Sequence, residues 1–332
     1  MIPRSDENTR TDDQLAPTAS VVIATFNRPE FVRRCLQHLA EQTRPPREVV
    51  VVDASLDDRT RHVVAEFPSA GYLRNERGPG STATSRAIGL AATTGDVVAF
   101  LDDDAFAEPT WLAELVSRYG DPRVAAVGGR ARNGQPGEET EGLDEIGLFL
   151  PNGRLTGNFA ADPGGDVDVD HLLGANMSVR RDVVEALGGI HDHYPGTCLR
   201  EETDIALRMR RAGYRIVYAP SAVVEHVAGP YARGRRFDTR YKYYGARNHV
   251  VLLGRTVGLG DPRTRRYVKS AVLEIAADLK ASAMAIGNPE KGTMTLKVRG
   301  IAGGVLRAAA KTAGLTVGLG EALALRLRVG PV

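Results

Sequence analysis

Short strand-like runs at Ser20 to Ala24, Glu48 to Val52, Gly71 to Arg74 and Val97 to Leu101 alternate with segments of helical spacing, and this alternation constrains the fold more than any other feature. Continuous apolar runs without polar alternation belong to strands covered on both faces. Strands that take turns with helices give a mostly parallel sheet joined by right-handed crossovers. After the first run, Thr25-Phe26-Asn27-Arg28-Pro29 reads as a turn opening a helix that carries Phe31, Cys35, Leu36 and Leu39 inward. Further helices are expected over 59–66, 81–93 and 111–119, and strands at Val124 to Gly128 and Arg215 to Ala219. The Gly/Pro/Asn-rich stretch from Arg132 to Gly165 reads as loops and small strands, and Leu173 to Met177 as a turn.

At 332 residues the chain exceeds one average domain. The reading is a disordered polar tail over 1–18, an α/β domain over 19–232 and a basic, mainly helical region over 233–332. A formal charge of +2 does not make nucleic acid the default partner, and none is expected. The first 18 residues lack the apolar run of a secretion signal, and no stretch has the uncharged length of a membrane span. Any membrane contact is therefore expected from the surface. Cys35 and Cys198 form no C-x-x-C pair, which suits a reducing cytosol.

The run Asp102-Asp103-Asp104 follows the fourth strand directly, at the carboxyl edge where ligands bind in such sheets. Three adjacent carboxylates repel one another and raise their own pKa values unless a cation or hydrogen-bond donors neutralise them. A divalent metal answers this economically, and hard oxygen ligands select Mg²⁺ or Mn²⁺. The plainer alternative is a solvated acidic turn.

Several segments in this order resemble family 2 glycosyltransferases. Val21 to Arg28 resembles the family's first strand and nucleotide loop, which brings in Thr25, Asn27 and Arg28. Val49 to Asp53 resembles its second strand, whose terminal Asp contacts the base. Arg86 matches the Arg that points into the nucleotide pocket, and Phe100 to Asp104 matches the D-x-D signature. Gly174-Ala175-Asn176-Met177, with Arg180-Arg181, resembles the segment near donor sugar and acceptor. The resemblance spans Ser20 to Val227 and implies the GT-A (nucleotide-diphospho-sugar transferase) fold, a mostly parallel sheet flanked by helices with a C-terminal helical extension. It implies Asp102 and Asp104 as metal ligands, Asp102 and Asp103 beside the donor, Asp53 on the pyrimidine and Asn176 near the sugar. His226 is implied as a third metal ligand, its bland alternative being a structural histidine.

Glu201-Glu202-Thr203-Asp204, followed by Leu207, Arg208 and Arg211, resembles the family's acidic motif, in which the second carboxylate is the base. That position holds Glu202 where the family usually has Asp, and Glu201 is its understudy. Simple helix capping is the competing explanation of the cluster. The resemblance implies an inverting single displacement: the base takes the acceptor's proton while the acceptor oxygen attacks C1 opposite the leaving nucleoside diphosphate. A UDP- or dTDP-sugar is expected as donor, since Asp53 can accept from a pyrimidine N3–H. The acceptor is a glycan, a lipid-linked sugar or a small-molecule hydroxyl.

Other readings compete. Gly78-Pro79-Gly80-Ser81-Thr82-Ala83 fits the loose dinucleotide fingerprint, but two strand–helix units precede it and nicotinamide binding has no use for three Asp. A sugar nucleotidyltransferase would carry a Gly-rich loop after the first strand, and a glycosidase would lack the nucleotide loop. The basic, aromatic segment Tyr231, Arg233, Arg235, Arg236, Phe237, Arg240, Tyr241, Lys242, Tyr243, Tyr244 and Arg247 suits a non-catalytic binder of anionic lipid or RNA, a flap over the diphosphate, or a solvated helix. From Arg263 to Arg328, apolar positions such as Val268, Val272, Ile275 and Leu279 recur at helical spacing. That pattern fits docking on the catalytic domain, a homodimer interface or a helix on a membrane surface.

Overall fold

A computed structural model describes residues 17–196, 200–227, 239–284 and 294–329. Residues 1–16, Cys198, and Tyr231 to Phe237 of the basic segment lie outside the described residues.

The sheet begins as expected. Strands β1 (Ala19–Thr25), β2 (Glu48–Asp53), β3 (Ala70–Arg74) and β4 (Val97–Asp102) lie in the order β3-β2-β1-β4, all parallel. Their side chains alternate between two buried layers. Val21, Ile23, Val49, Val51, Val97 and Leu101 point into one core, and Val22, Val50, Val52, Val98 and Phe100 into the other. This two-sided burial is why the runs read as continuously apolar. Helix α1 (Pro29–Ala40) buries Val32, Cys35, Leu36 and Leu39, with Phe31 only partly covered. Helices α2 (Arg59–Val64) and α3 (Thr82–Ala92) complete the crossovers. Gly78 and Gly80 adopt φ of 70° and 79°, so a left-handed turn accounts for the glycines ahead of α3.

Beyond β4 the sheet becomes mixed. Strands β5 (Ala105–Ala107), β6 (Val124–Arg132), β7 (Val167–Asp168), β8 (Asn176–Arg180) and β9 (Arg215–His226) extend the order as β4-β8-β6-β9-β5, with β7 pairing β9. β8 runs antiparallel to both β4 and β6. The residues read as a turn thus feed an inner strand, and β9 runs seven residues past Ala219 to His226. Helix α4 (Trp111–Ser117) precedes β6, α5 (Arg181–Ala186) follows β8, and α6 (Glu201–Arg211) precedes β9.

Three helices close the described chain: α7 (Thr239–Thr256), α8 (Pro262–Met284) and α9 (Met294–Val329). A small apolar cluster of Tyr194, Leu207, Val251 and Leu252 fastens α7 to α6. Arg247, from the basic segment, is buried and donates to the backbone oxygen of His193, while Arg240 stacks over Tyr244. Of the described residues of that segment, Arg247 is buried, Tyr241 to Tyr244 are half-buried and Arg240 is exposed. On α8, two of the four stripe positions are exposed, Val272 at 54% and Leu279 at 44%, while Val268 and Ile275 are half-buried. Among the described residues, no helix is long and apolar enough to cross a membrane.

Candidate active site

Parallel register sets β1, β2 and β4 side by side, so Thr25 meets Asp53 and Ala24 meets Asp102 at one sheet edge. The chain turns sharply after β4, leaving Asp103 and Asp104 buried while the Asp102 side chain is 33% exposed. Thr25 Oγ1 donates to Asp103 Oδ2 at 2.7 Å. Arg28 Nη1 reaches Asp103 Oδ1 at 3.0 Å and Asp104 Oδ2 at 2.8 Å. Burial pushes the Asp103 carboxyl up to about 7, helped by the charges of Asp104 and Asp102 and opposed by Arg28. Burial also acts to raise Asp104, but His226 and Arg28 outweigh it and hold that carboxyl below its ordinary value.

Because β9 continues past Ala219, His226 arrives beside β5, opposite Ala105 in the ladder. Its Nε2 lies 3.6 Å from Asp104 Oδ1, and its Nδ1 lies 3.2 Å from Asn133 Oδ1. An amide oxygen only accepts, so the Nδ1 proton points to Asn133, and Nε2 is the ring atom turned toward Asp104. One ligand atom from each of Asp102, Asp104 and His226 lies within 4.8 Å of the others. Two hard oxygens and an imidazole nitrogen on one side of a shell fit Mg²⁺ or Mn²⁺, with positions left for phosphate oxygens.

Arg86, on α3, joins this group to the acidic helix. Its Nη2 donates to Asp102 Oδ1 at 2.9 Å and to the Gly174 backbone oxygen at 2.8 Å, and its Nη1 to Glu201 Oε1 at 2.6 Å. Burial works against this guanidinium, yet Glu201, Asp102 and Glu202 raise its pKa further above the ordinary value. Glu201 and Glu202 form the first turn of α6, where the positive helix end favours carboxylates. Glu201 is buried against Arg86, whereas Glu202 is half-buried. Arg200, just ahead, has a left-handed φ of 98°, and its Nε donates to His249 Nδ1 on α7 at 3.0 Å. His171 is buried nearby, held below its ordinary pKa by burial while the charge of Glu202 pulls the other way.

Three residues expected beside the donor have protein partners in this structure. Asn176 is wholly buried: its Oδ1 accepts from Trp111 Nε1 at 2.8 Å and its Nδ2 donates to Arg130 and Ala222 backbone oxygens at 3.1 and 3.0 Å. It ties β8 to its neighbours. Arg86 binds protein atoms where a contact to nucleotide was expected. Asp53 is also wholly buried, accepting from Ser55 N at 2.9 Å and Tyr72 Oη at 3.2 Å. Asn27 is exposed at a left-handed φ of 55°, and its backbone N–H donates to Ser55 Oγ at 2.8 Å. Asn133, Gly174, His171 and Arg200 were not singled out as site residues. A Cβ at Gly174 would stand 2.7 Å from Arg86 Nη1, so only glycine leaves room for that guanidinium.

The glycosyl transferase family 2 model matches residues 20–188, and that of glycosyl transferase family group 2 matches 163–290. Glycosyltransferase AglE of Haloferax volcanii is 28% identical over 65% of this chain and 68% of its own. O-antigen chain rhamnosyltransferase WbaN of Salmonella anatum is 28% identical over 63% of this chain and 66% of its own. Glucosyl-dolichyl phosphate glucuronosyltransferase of Haloferax volcanii is 30% identical over 62% and 68%. The chain thus spans about two thirds of the length of these relatives. Among solved structures, mannosyltransferase PcManGT from Pyrobaculum calidifontis, in complex with GDP-Man and Mn²⁺, superposes with a TM-score of 0.55 at 20% identity, covering 94% of this chain and 87% of its own. GalNAc-T7 with UDP, GalNAc and Mn²⁺ gives 0.51 at 16% identity, over 77% and 55%. At these identities the structural likeness speaks to fold alone.

Proposed function

The chain belongs to glycosyl transferase family 2 and is a glycosyltransferase of the GT-A fold, and from that premise we propose an inverting transfer from a UDP- or dTDP-sugar to a hydroxyl acceptor. The observation that carries this reading is the pair of ionic links Asp104–Arg28–Asp103 and Asp102–Arg86–Glu201, the second of which fastens the D-x-D carboxylates to the helix bearing Glu202. Asp102, Asp104 and His226 would hold Mg²⁺ or Mn²⁺, which when bound supplies positive charge against the departing diphosphate.

In this reading Glu202 takes the acceptor's proton. Its neighbour Glu201 is committed to Arg86, so Glu202 is the carboxylate of the pair left to meet an acceptor. Arg86 positions both acidic groups and keeps Asp102 oriented. Thr25 and Arg28 fix Asp103 and Asp104, and Asn133 fixes the tautomer of His226. The Asn27 turn and Asp53 would border the base.

Two variants separate the roles. Asp104→Ala is expected to abolish Mn²⁺-dependent donor binding. Glu202→Gln is expected to keep donor binding and lower turnover by about 10²- to 10⁴-fold, the usual weight of general-base catalysis. Normal turnover in Glu202→Gln would overturn the assignment of the base.

A further inference from the structure

The outer faces of α8 and α9 take no part in the transfer site, and their chemistry is one-sided. Over residues 302–325 of α9, Leu306, Ala309, Ala313 and Val317 are exposed at three- and four-residue spacing, and Val305 and Leu323 are exposed as well. No charged side chain is exposed in that span, since Arg307, Lys311 and Glu321 are all half-buried. On α8, Leu273 is 61% exposed, beside exposed Val272, Leu279 and Met284.

The exposed charges of α8 are Arg265, Arg266, Lys269 and Lys280, all cationic. Its two acids are ion-paired: Glu274 accepts from Arg154, and Asp278 accepts from Lys311 Nζ at 2.7 Å. α8 carries five Lys and Arg against two acids, and α9 six against one. With a whole-chain charge of only +2, the remainder is net acidic, so the positive excess is gathered on these helices. Between α7, α8 and α9, a cavity of about 140 Å³ is lined by Lys242, Arg307, Lys311 and Asp278, three cations to one carboxylate. Burial, with Lys311 and Arg307 close by, holds the Lys242 ammonium below its ordinary pKa.

We propose that α8 and α9 lie flat on an anionic phospholipid surface, the apolar stripe entering the acyl boundary and a lipid phosphate meeting Lys242, Arg307 and Lys311. The helices have 23 and 36 residues, giving lengths of roughly 35 and 54 Å at 1.5 Å per residue. Neither is apolar enough to cross a bilayer, which leaves lateral contact. A second copy of the chain suits these faces less well, because a two-fold contact through α8 would bring Arg265, Arg266, Lys269 and Lys280 toward their own copies. An anionic surface meets no such repulsion and attracts each Lys or Arg held near it.

The test is co-sedimentation of the full chain with phosphatidylcholine vesicles, with and without phosphatidylglycerol, over a salt series. It needs neither donor nor turnover, so its failure is separate from failure of the transferase reading. The chain is expected to sediment with phosphatidylglycerol vesicles at low salt, and at least ~10-fold less with phosphatidylcholine alone or at high salt. Leu273→Asp with Leu306→Asp should lose ~10-fold in vesicle binding at an unchanged melting temperature, since both side chains are exposed. Absence of binding, or equal binding to neutral vesicles, overturns the proposal whether or not the double variant folds. A lipid-free dimer that the double variant dissociates overturns it as well.

Discussion

Arg86 stands between two carboxylates, Asp102 and Glu201, and is itself almost fully buried. Removing such a cation leaves its partners uncompensated, a cost of about 3–5 kcal/mol for a buried pair. Arg86→Met should therefore lower both the melting temperature and kcat. A gentler probe is Gly174→Ala, whose methyl group would crowd the guanidinium. Its kcat is expected to fall roughly tenfold with donor affinity little changed, a split that steady-state kinetics reads directly. Asn133→Ala should weaken Mn²⁺ affinity by about 10-fold or more, the usual effect of losing the partner that orients a ligating histidine. Titration calorimetry showing unchanged Mn²⁺ affinity would return His226 to a structural role. The Asp run and the acidic pair were legible because each is a local pattern beside a strand or helix end. Asn133 was not, since it meets His226 only after 93 residues of chain have folded back.

Among the elements, α6 and α7 are joined by a histidine with both ring nitrogens committed. His249 Nδ1 accepts from Arg200, and its Nε2 lies 2.7 Å from the Gly153 backbone oxygen. Burial, with Arg200 close by, lowers this ring from 6.5 to about 3. Below pH 6.5 the unfolded chain takes up a proton here that the folded protein refuses. The stability from this site is thus complete above pH 6.5 and is lost as pH falls toward about 3. The loss is on the order of a few kcal/mol. Melting temperature against pH should show this decline, and His249→Gln should flatten part of it; an identical profile in the variant would contradict the assignment. Parallel strands were readable because burial on both faces writes continuous apolar runs. β8 was not, because Gly174 and Asn176 have turn chemistry while the strand they begin is fixed by pairing with β4 and β6. The α8 stripe left its use open, because helical spacing reports that a helix has an apolar face and is silent on what covers it.

At the scale of the molecule, one parallel block presents its carboxyl edge to β9 and α6, and that convergence makes a single site from residues spread between positions 25 and 226. The fold class followed from strand–helix alternation, and the family from motifs in their order along the chain. Donor choice did not follow, since Asp53 and Arg86 are turned to protein partners by packing that no local pattern records. The central claim is that this edge binds a nucleoside diphosphate together with a divalent cation. Its most direct test is thermal stabilisation by UDP, dTDP, GDP and NAD, each with and without Mn²⁺. The account predicts that UDP or dTDP stabilises the protein only when Mn²⁺ is present, by about 2.7 kcal/mol at a hundredfold excess over Kd, and that Asp104→Ala removes the effect. Stabilisation by NAD alone, or none by any diphosphate with Mn²⁺, would contradict it.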